Sequence, residues 1–387
     1  MARWEWLVKP DDDWHFIRRV VLKSTLLFFV LNIIYALAQP LPTISQLSAY
    51  NMLVPGRERF PYSDNPSEAF SLSYGVIEGL FAAHEIDASD VPEDAYQVVL
   101  IGDSSVWGVL LDVDETLSGC INVGDYTTTA GQEIVVHNLG YPVLSVFKDV
   151  LILEEALTYE PDAVVWLVTL QALFDNEQLR HPILQTNPDR VRGFIEAYDL
   201  QLDMSDLPQP NFFDRTIIGQ RRELAEWLRL QVYGLAWWMT KADYAPGGFL
   251  GAPVRNLAAS EGILNRDDIN IGNLDSQGVL AWDVLDTGVA LAENAEVPLL
   301  LVNEPIFISD GLNSDIRYNE YYPRWAYDEY RESLRARTQS NGWRYLDLWD
   351  RVPAEAFTDT PFHYRPPYTC EVAADIAQRL VTLSQQQ

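Results

Sequence analysis

The stretch YQVVLIGDSSVWG, residues 96–108, decides the fold. It opens with a run of mostly apolar, β-branched side chains, too short for a buried helix and suited to a strand covered on both faces. Gly102 and Asp103 then make a tight turn, and Ser104 follows at the strand's tip. Four more runs of this kind come later: EIVVHNLG (133–140), AVVWLVTL (163–170), VPLLLVNEP (297–305) and WRYLDLWD (343–350). Helix-like segments separate them, among them Phe147–Thr158 and Tyr322–Ser340. The alternation predicts a three-layer α/β fold around a parallel five-stranded sheet. Catalytic groups in such folds sit on loops at the carboxyl ends of the strands.

Outward from this core, the amino-terminal side reads VVLKSTLLFFVLNIIYALA over Val20–Ala38. Nineteen helical residues at about 1.5 Å each match a bilayer core. Trp4, Trp6, Trp14 and Phe16 precede the segment, as do Arg3, Lys9, Arg18 and Arg19. The positive-inside rule then puts that end in the cytoplasm and everything after Gln39 outside. Ala36-Leu37-Ala38 also resembles a signal-peptidase site, and a buried core helix has the same composition, so anchor, cleaved signal and core helix are three readings of one segment. The organisation expected is a cytoplasmic terminus (1–19), a membrane span (20–38), a stalk packed on the domain edge (39–95) with one helix within 66–86, and a catalytic domain (96–384).

A helical insertion, 175–285, interrupts the alternation. Its stretch 214–243 carries Trp227, Leu230, Tyr233, Trp237 and Trp238 on one apolar face. Such a face packs on the domain, or lies on a membrane or a partner.

The chain has 387 residues and a net charge of -29, which repels nucleic acid and argues against it as a partner. The two cysteines, Cys120 and Cys370, lie in no Cys/His cluster, and no HExxH, Walker or GxGxxG motif is present. Neither a metal nor a cofactor is expected.

Among the histidines at 15, 84, 137, 181 and 363, only His363 follows the last strand, in a loop that opens the final helix, Cys370–Ser384. A general base for a serine must be neutral near pH 7 and sit at the strand carboxyl edge, which singles out His363 for Ser104. Ser104 alone also fits an ordinary helix cap.

In combination, GDSSVWG (102–108), NLG (138–140) and FTDTPFH (357–363) resemble, in order and position, the SGNH/GDSL hydrolase superfamily. The resemblance spans about residues 96–384 apart from the insertion. It implies a flavodoxin-like α/β/α sandwich, with Ser104 as nucleophile, Gly140 as an oxyanion amide and His363 as base. The family places an Asp three residues before the His, where this chain has Thr360; the carboxylate is therefore assigned to Asp359, with Asp350 in reserve. The family's third-block Asn is replaced by the stretch Thr169-Leu170-Gln171-Ala172, and Gln171 is the substitute donor expected.

Asn303 and Glu304 end the fourth strand and are candidates for binding a polar substrate, or members of an ordinary loop. Arg317 and Tyr318 follow on a polar stretch that reads first as a surface loop, and second as a lining of the cleft that would stack on or hydrogen-bond to sugars. In the implied fold the helices bearing Cys120 and Cys370 are neighbours, which leaves a disulfide and two buried thiols both open. The function expected is a serine esterase or O-acyltransferase acting on acylated carbohydrate or lipid outside the cytoplasm. The resemblance further implies a multipass membrane acyltransferase as partner. The alternative is a non-catalytic accessory subunit of the same fold.

Overall fold

The computed structural model describes residues 13–54, 56–63, 73–87, 91–92, 94–240, 279–311 and 314–385. Five strands appear where the apolar runs are: β1 (Tyr96–Ile101), β2 (Ile134–Asn138), β3 (Ala163–Val168), β4 (Leu299–Asn303) and β5 (Arg344–Asp347). All pair in parallel, in the order β2-β1-β3-β4-β5. The helices that matter here are α1 (Asp13–Ala38), α2 (Ser104–Trp107), α3 (Leu117–Val123), α4 (Val146–Ala156), α5 (Arg221–Thr240), α6 (Trp282–Asn294), α7 (Arg324–Asn341) and α8 (Pro366–Leu383).

Strand side chains alternate between two covered faces. Val99, Ile101, Val164, Trp166 and Leu301 pack toward α4, α6 and α7. Val98, Leu100, Val165, Leu167, Leu300 and Val302 pack toward α3 and α8. This is the three-layer sandwich that the runs predict. The register aligns Leu100 with Asn138, Val168 with Asn303, and Asn303 with Asp347, so all five carboxyl ends lie along one rim. Cys120 on α3 and Cys370 on α8 form a disulfide, which resolves the choice between a bridge and two thiols.

Residues upstream of β1 are part of this body. Phe60, Tyr74, Ile77, Leu80 and Phe81 are buried against the α4 face. Among the described residues of the helix expected within 66–86, Ile77–Ala82 is α-helical; residues 64–72 lie outside the described residues. So do Trp4, Trp6 and the rest of 1–12, and 241–278 of the insertion. Helix α1 is long and apolar enough to cross a membrane. The helix expected over 214–243 begins later, at Arg221, because Asn211 accepts from the amides of Phe213 and Asp214 and turns the chain there. Its Leu230 and Trp237 are buried, with Trp227 and Tyr233 packed beside them, so that part of the apolar face belongs to the core, while Trp238 is 43% exposed.

Candidate active site

The first strand delivers Ser104 to the rim. The Asp103 carboxylate accepts from the Ser105 amide at 2.8 Å, which starts α2 directly after the strand. Gly108 ends α2 in the left-handed region, φ 85°, where a side chain would be strained. Ser104 is half-buried and borders a small, shallow cleft with Val109, Leu111, Phe362 and His363.

Across 259 positions of chain, Ser104 Oγ donates to His363 Nε2 at 2.8 Å. The other ring nitrogen, Nδ1, donates to Asp359 Oδ1 at 2.9 Å. The carboxylate thus fixes the tautomer that leaves Nε2 as acceptor. Burial works to raise the Asp359 pKa, but the hydrogen bond and charge of His363, with the Thr358 hydroxyl, outweigh it and hold the group below the usual carboxylate range. The one-residue displacement of the acid relative to the family's spacing is absorbed locally: Thr360, at the family's Asp position, accepts from the His363 amide at 3.2 Å. Asp350, the reserve carboxylate, is exposed.

Gly140 lies against the elbow. A Cβ there would come within 2.5 Å of the Trp107 amide nitrogen, so only glycine allows the approach. Its own amide donates to Asn138 Oδ1 at 3.1 Å, and Asn138 Nδ2 in turn donates to Val106 O. Gln171 is placed differently from the expectation. Its side-chain amide donates to Glu177 at 2.7 Å and its backbone amide to the Tyr322 hydroxyl.

Asn303 and Glu304 correct the expectation of substrate binding, because both are fully buried. Asn303 donates to Asp347 and accepts from Tyr330. Glu304 accepts from the Ser105 hydroxyl at 2.7 Å, directly beneath the elbow. Burial first, and then the charge of Asp103, push its pKa well above the usual carboxylate range. Tyr318 is buried and donates to Asp328, so it does not line the cleft either.

Sequence reasoning missed a set of buried polar side chains behind the site. Lys148 Nζ donates to Gly102 O (2.9 Å) and Tyr141 O (2.7 Å), tying the loop after β1 to the loop after β2. Asp149 is its counter-ion at 2.6 Å and accepts from Trp166 Nε1. His84 Nε2 donates to Asn138 O and His181 Nε2 to Pro142 O, both at 3.0 Å. In each ring Nδ1 accepts a backbone amide, which fixes the neutral tautomer. Burial lowers the pKa of His84 to about 4 and of His181 to about 3. A signal for Lys148 was present: it sits in VFKDVLIL, a segment apolar on every helical side, where no solvated face exists for a charge.

No family model matches the chain, and no curated protein does. Solved structures are similar to it at low identity. A member of the lipolytic protein G-D-S-L family from Veillonella parvula is 10% identical, with 74% of this chain and 98% of that one covered, at TM-score 0.35. A GDSL-like lipase from Bacteroides thetaiotaomicron is 9% identical (78% and 95% covered, TM-score 0.36). A carbohydrate acetylesterase family member from Sinorhizobium meliloti is 10% identical (75% and 99% covered, TM-score 0.32).

Proposed function

We propose that this chain is an SGNH-type serine hydrolase or acyltransferase, held at a membrane by α1, that handles short acyl esters on an extracytoplasmic glycan. The observation that carries the reading is the relay Ser104 Oγ–His363 Nε2–Asp359, at 2.8 and 2.9 Å. His363 takes the Ser104 proton as the oxygen attacks the ester carbonyl, and Asp359 stabilises the imidazolium. The tetrahedral oxyanion is met by amides at the elbow, with Gly140 adjoining. Collapse expels the alcohol, which takes the proton back from His363, and leaves an acyl-Ser104. Water or a sugar hydroxyl, deprotonated by the same imidazole, then releases the acyl group.

The small cleft with Val109, Leu111 and Phe362 suits a short acyl chain better than a fatty one. The Cys120–Cys370 disulfide supports an oxidising compartment, hence the outer side of the membrane. A multipass membrane acyltransferase is the partner that such a tethered enzyme would serve.

The test is a serine-reactive fluorophosphonate, which is expected to label the full chain and not Ser104→Ala. Acetyl esters offered with and without sugar acceptors then separate hydrolysis from transfer, by mass of the acylated sugar. One observation favours the accessory-subunit reading: Gly140 and Gln171, the two further oxyanion donors expected, have their amides engaged elsewhere. Absence of labelling across pH 6–9, a range bracketing about the histidine pKa and above it, would turn the choice to that reading.

A further inference from the structure

Helix α1 is exposed along most of its length, but one side of its last third is not. Asn32, Tyr35 and Ala36, at i, i+3 and i+4, are buried, while Leu31 and Ile33 beside them are about half exposed, at 47% and 46%. The covering segment comes from the insertion. Ile218 N donates to Asn32 Oδ1 at 3.3 Å, and Asn32 Nδ2 closes on Phe28 O at 2.9 Å. The one amide in the apolar helix is therefore a docking point, its polar atoms answered by backbone. Asn32 lies six residues before Ala38, so the body climbs about 9 Å up the helix from its end.

The same segment carries apolar side chains pointing away from the body. Phe212 and Phe213, adjacent on a turn, are 53% and 56% exposed. Helix α5, which follows in the chain, also exposes Leu228 and Val232, one turn apart on its outer side and opposite Leu230 and Trp237. Two bonds hold α5 to the chain just after α1: Trp227 Nε1 to Leu47 O, and Ala49 N to Gln231 Oε1. Arg221 and Arg222 are exposed at its start.

We propose that Phe212, Phe213 and Ile218, with Leu228 and Val232, form a seat in the outer leaflet of the bilayer that α1 crosses. This rests on reading α1 as a retained anchor. The occupant follows from position: a surface joined to the anchor part-way up its length lies at the depth of the headgroups and upper acyl chains, where a soluble protein cannot reach. Paired aromatics there, with arginines at the rim, match an interfacial element. The net charge of -29 gives no general attraction to anionic lipid, so the seat depends on apolar burial and not on attraction to acidic headgroups. It fixes the body against the membrane instead of leaving it on a swinging tether.

The test uses the full chain in phosphatidylcholine vesicles, with a bimane fluorophore on Phe213→Cys and the native disulfide intact. Nitroxide lipids labelled at a shallow acyl carbon are expected to remove about half or more of the bimane fluorescence, as for a group lying ~5–10 Å into the interface. Ile316→Cys, exposed on the β4–α7 connection, is the unquenched control. Leu26→Cys, within α1, reports the anchor itself. If Leu26→Cys is quenched and Phe213→Cys is not, the seat is overturned and the anchor stands. If Leu26→Cys escapes quenching, the anchor reading fails, and the seat with it. A Phe213→Cys probe that is blue-shifted but unquenched places a protein on the surface, such as a second copy, and also overturns the proposal.

Discussion

The two flanks of the Ser104–His363 pair are built in opposite ways. On the nucleophile flank, the carbonyls of Gly102, Asn138, Tyr141 and Pro142 are each held by a fully buried side chain, Lys148, His84 or His181. On the base flank, Asp359 and His363 share one short loop whose bonds are mostly local: Thr358 to Asp359, Thr360 to His363, and His363 O to the Thr358 amide. The Asp359 side chain is 37% exposed. One flank is fixed by buried side chains from distant elements, the other mostly by bonds within its own loop, with one tie from the Phe307 amide to Pro361 O. Damage to the first should therefore appear as lost stability, and damage to the second as lost activity in a protein that still folds.

The largest effect is expected on the base flank. Asp359→Asn keeps the shape of the side chain but removes the charge that sets the imidazole tautomer. It should lower kcat by about 10³–10⁴-fold, with the thermal midpoint nearly unmoved because the turn is partly solvated. Steady-state kinetics on a short acyl ester, beside a melting curve, checks both halves. A variant that loses fold together with activity would erase the contrast.

Next in size is Lys148→Met on the nucleophile flank. It leaves Asp149 buried without its counter-ion and frees two carbonyls, at a cost of roughly 3–5 kcal/mol in unfolding free energy. Urea titration measures it. Lys148→Met/Asp149→Asn should recover part of the loss, because the stranded charge is gone. An unchanged midpoint in the single variant would mean that the nucleophile loops do not need this tie.

This flank also shows where the sequence was legible and where it was not. The five strands were readable because each is a continuous apolar run, and Ser104 and His363 because a rim serine and the one histidine after the last strand leave little choice. Gly140 was readable by motif, although the reason for glycine, contact with the Trp107 backbone, is visible only in space. His84 and His181 were not readable. Each meets a carbonyl 54 or 39 positions away, and nothing in their neighbours' spacing encodes that. Asn303 and Glu304 were misread because the sheet's end looks like an open rim in sequence, whereas α7 tyrosines and the elbow cover it.

The buried histidines give the third test. Their folded pKa values, about 4 and about 3, lie below the ordinary histidine range, so the folded state binds fewer protons than the unfolded chain. Their contribution to stability is complete above pH ~6.5 and is lost as pH falls through the folded values. For a shift of the size at His84 the loss is on the order of 3 kcal/mol. Asp149, raised to about 6 chiefly by burial, acts in the opposite sense: its penalty on folding is relieved as pH falls. Comparing wild type with His181→Gln, which can still donate and accept, isolates the histidine. The midpoint of the variant should fall less steeply below pH ~6, and parallel curves would show that His181 carries no acid sensitivity.

The smallest expected effect concerns Gln171, which stands between the two flanks and belongs to neither. Its side-chain amide donates to Glu177 and its backbone amide to the Tyr322 hydroxyl, so in this arrangement Gln171 is oriented by those partners. If that arrangement persists through the reaction, Gln171→Leu should change kcat by less than about threefold, since removing a true oxyanion donor costs ~10²–10³. A hundredfold loss with KM unchanged would mean that the amide leaves Glu177 for the transition state. The site would then gain a donor recruited only during catalysis. Glu177→Gln separates the cases further. It weakens the hold on Gln171, and should leave a site that does not use Gln171 unaffected but speed one that must first release the amide.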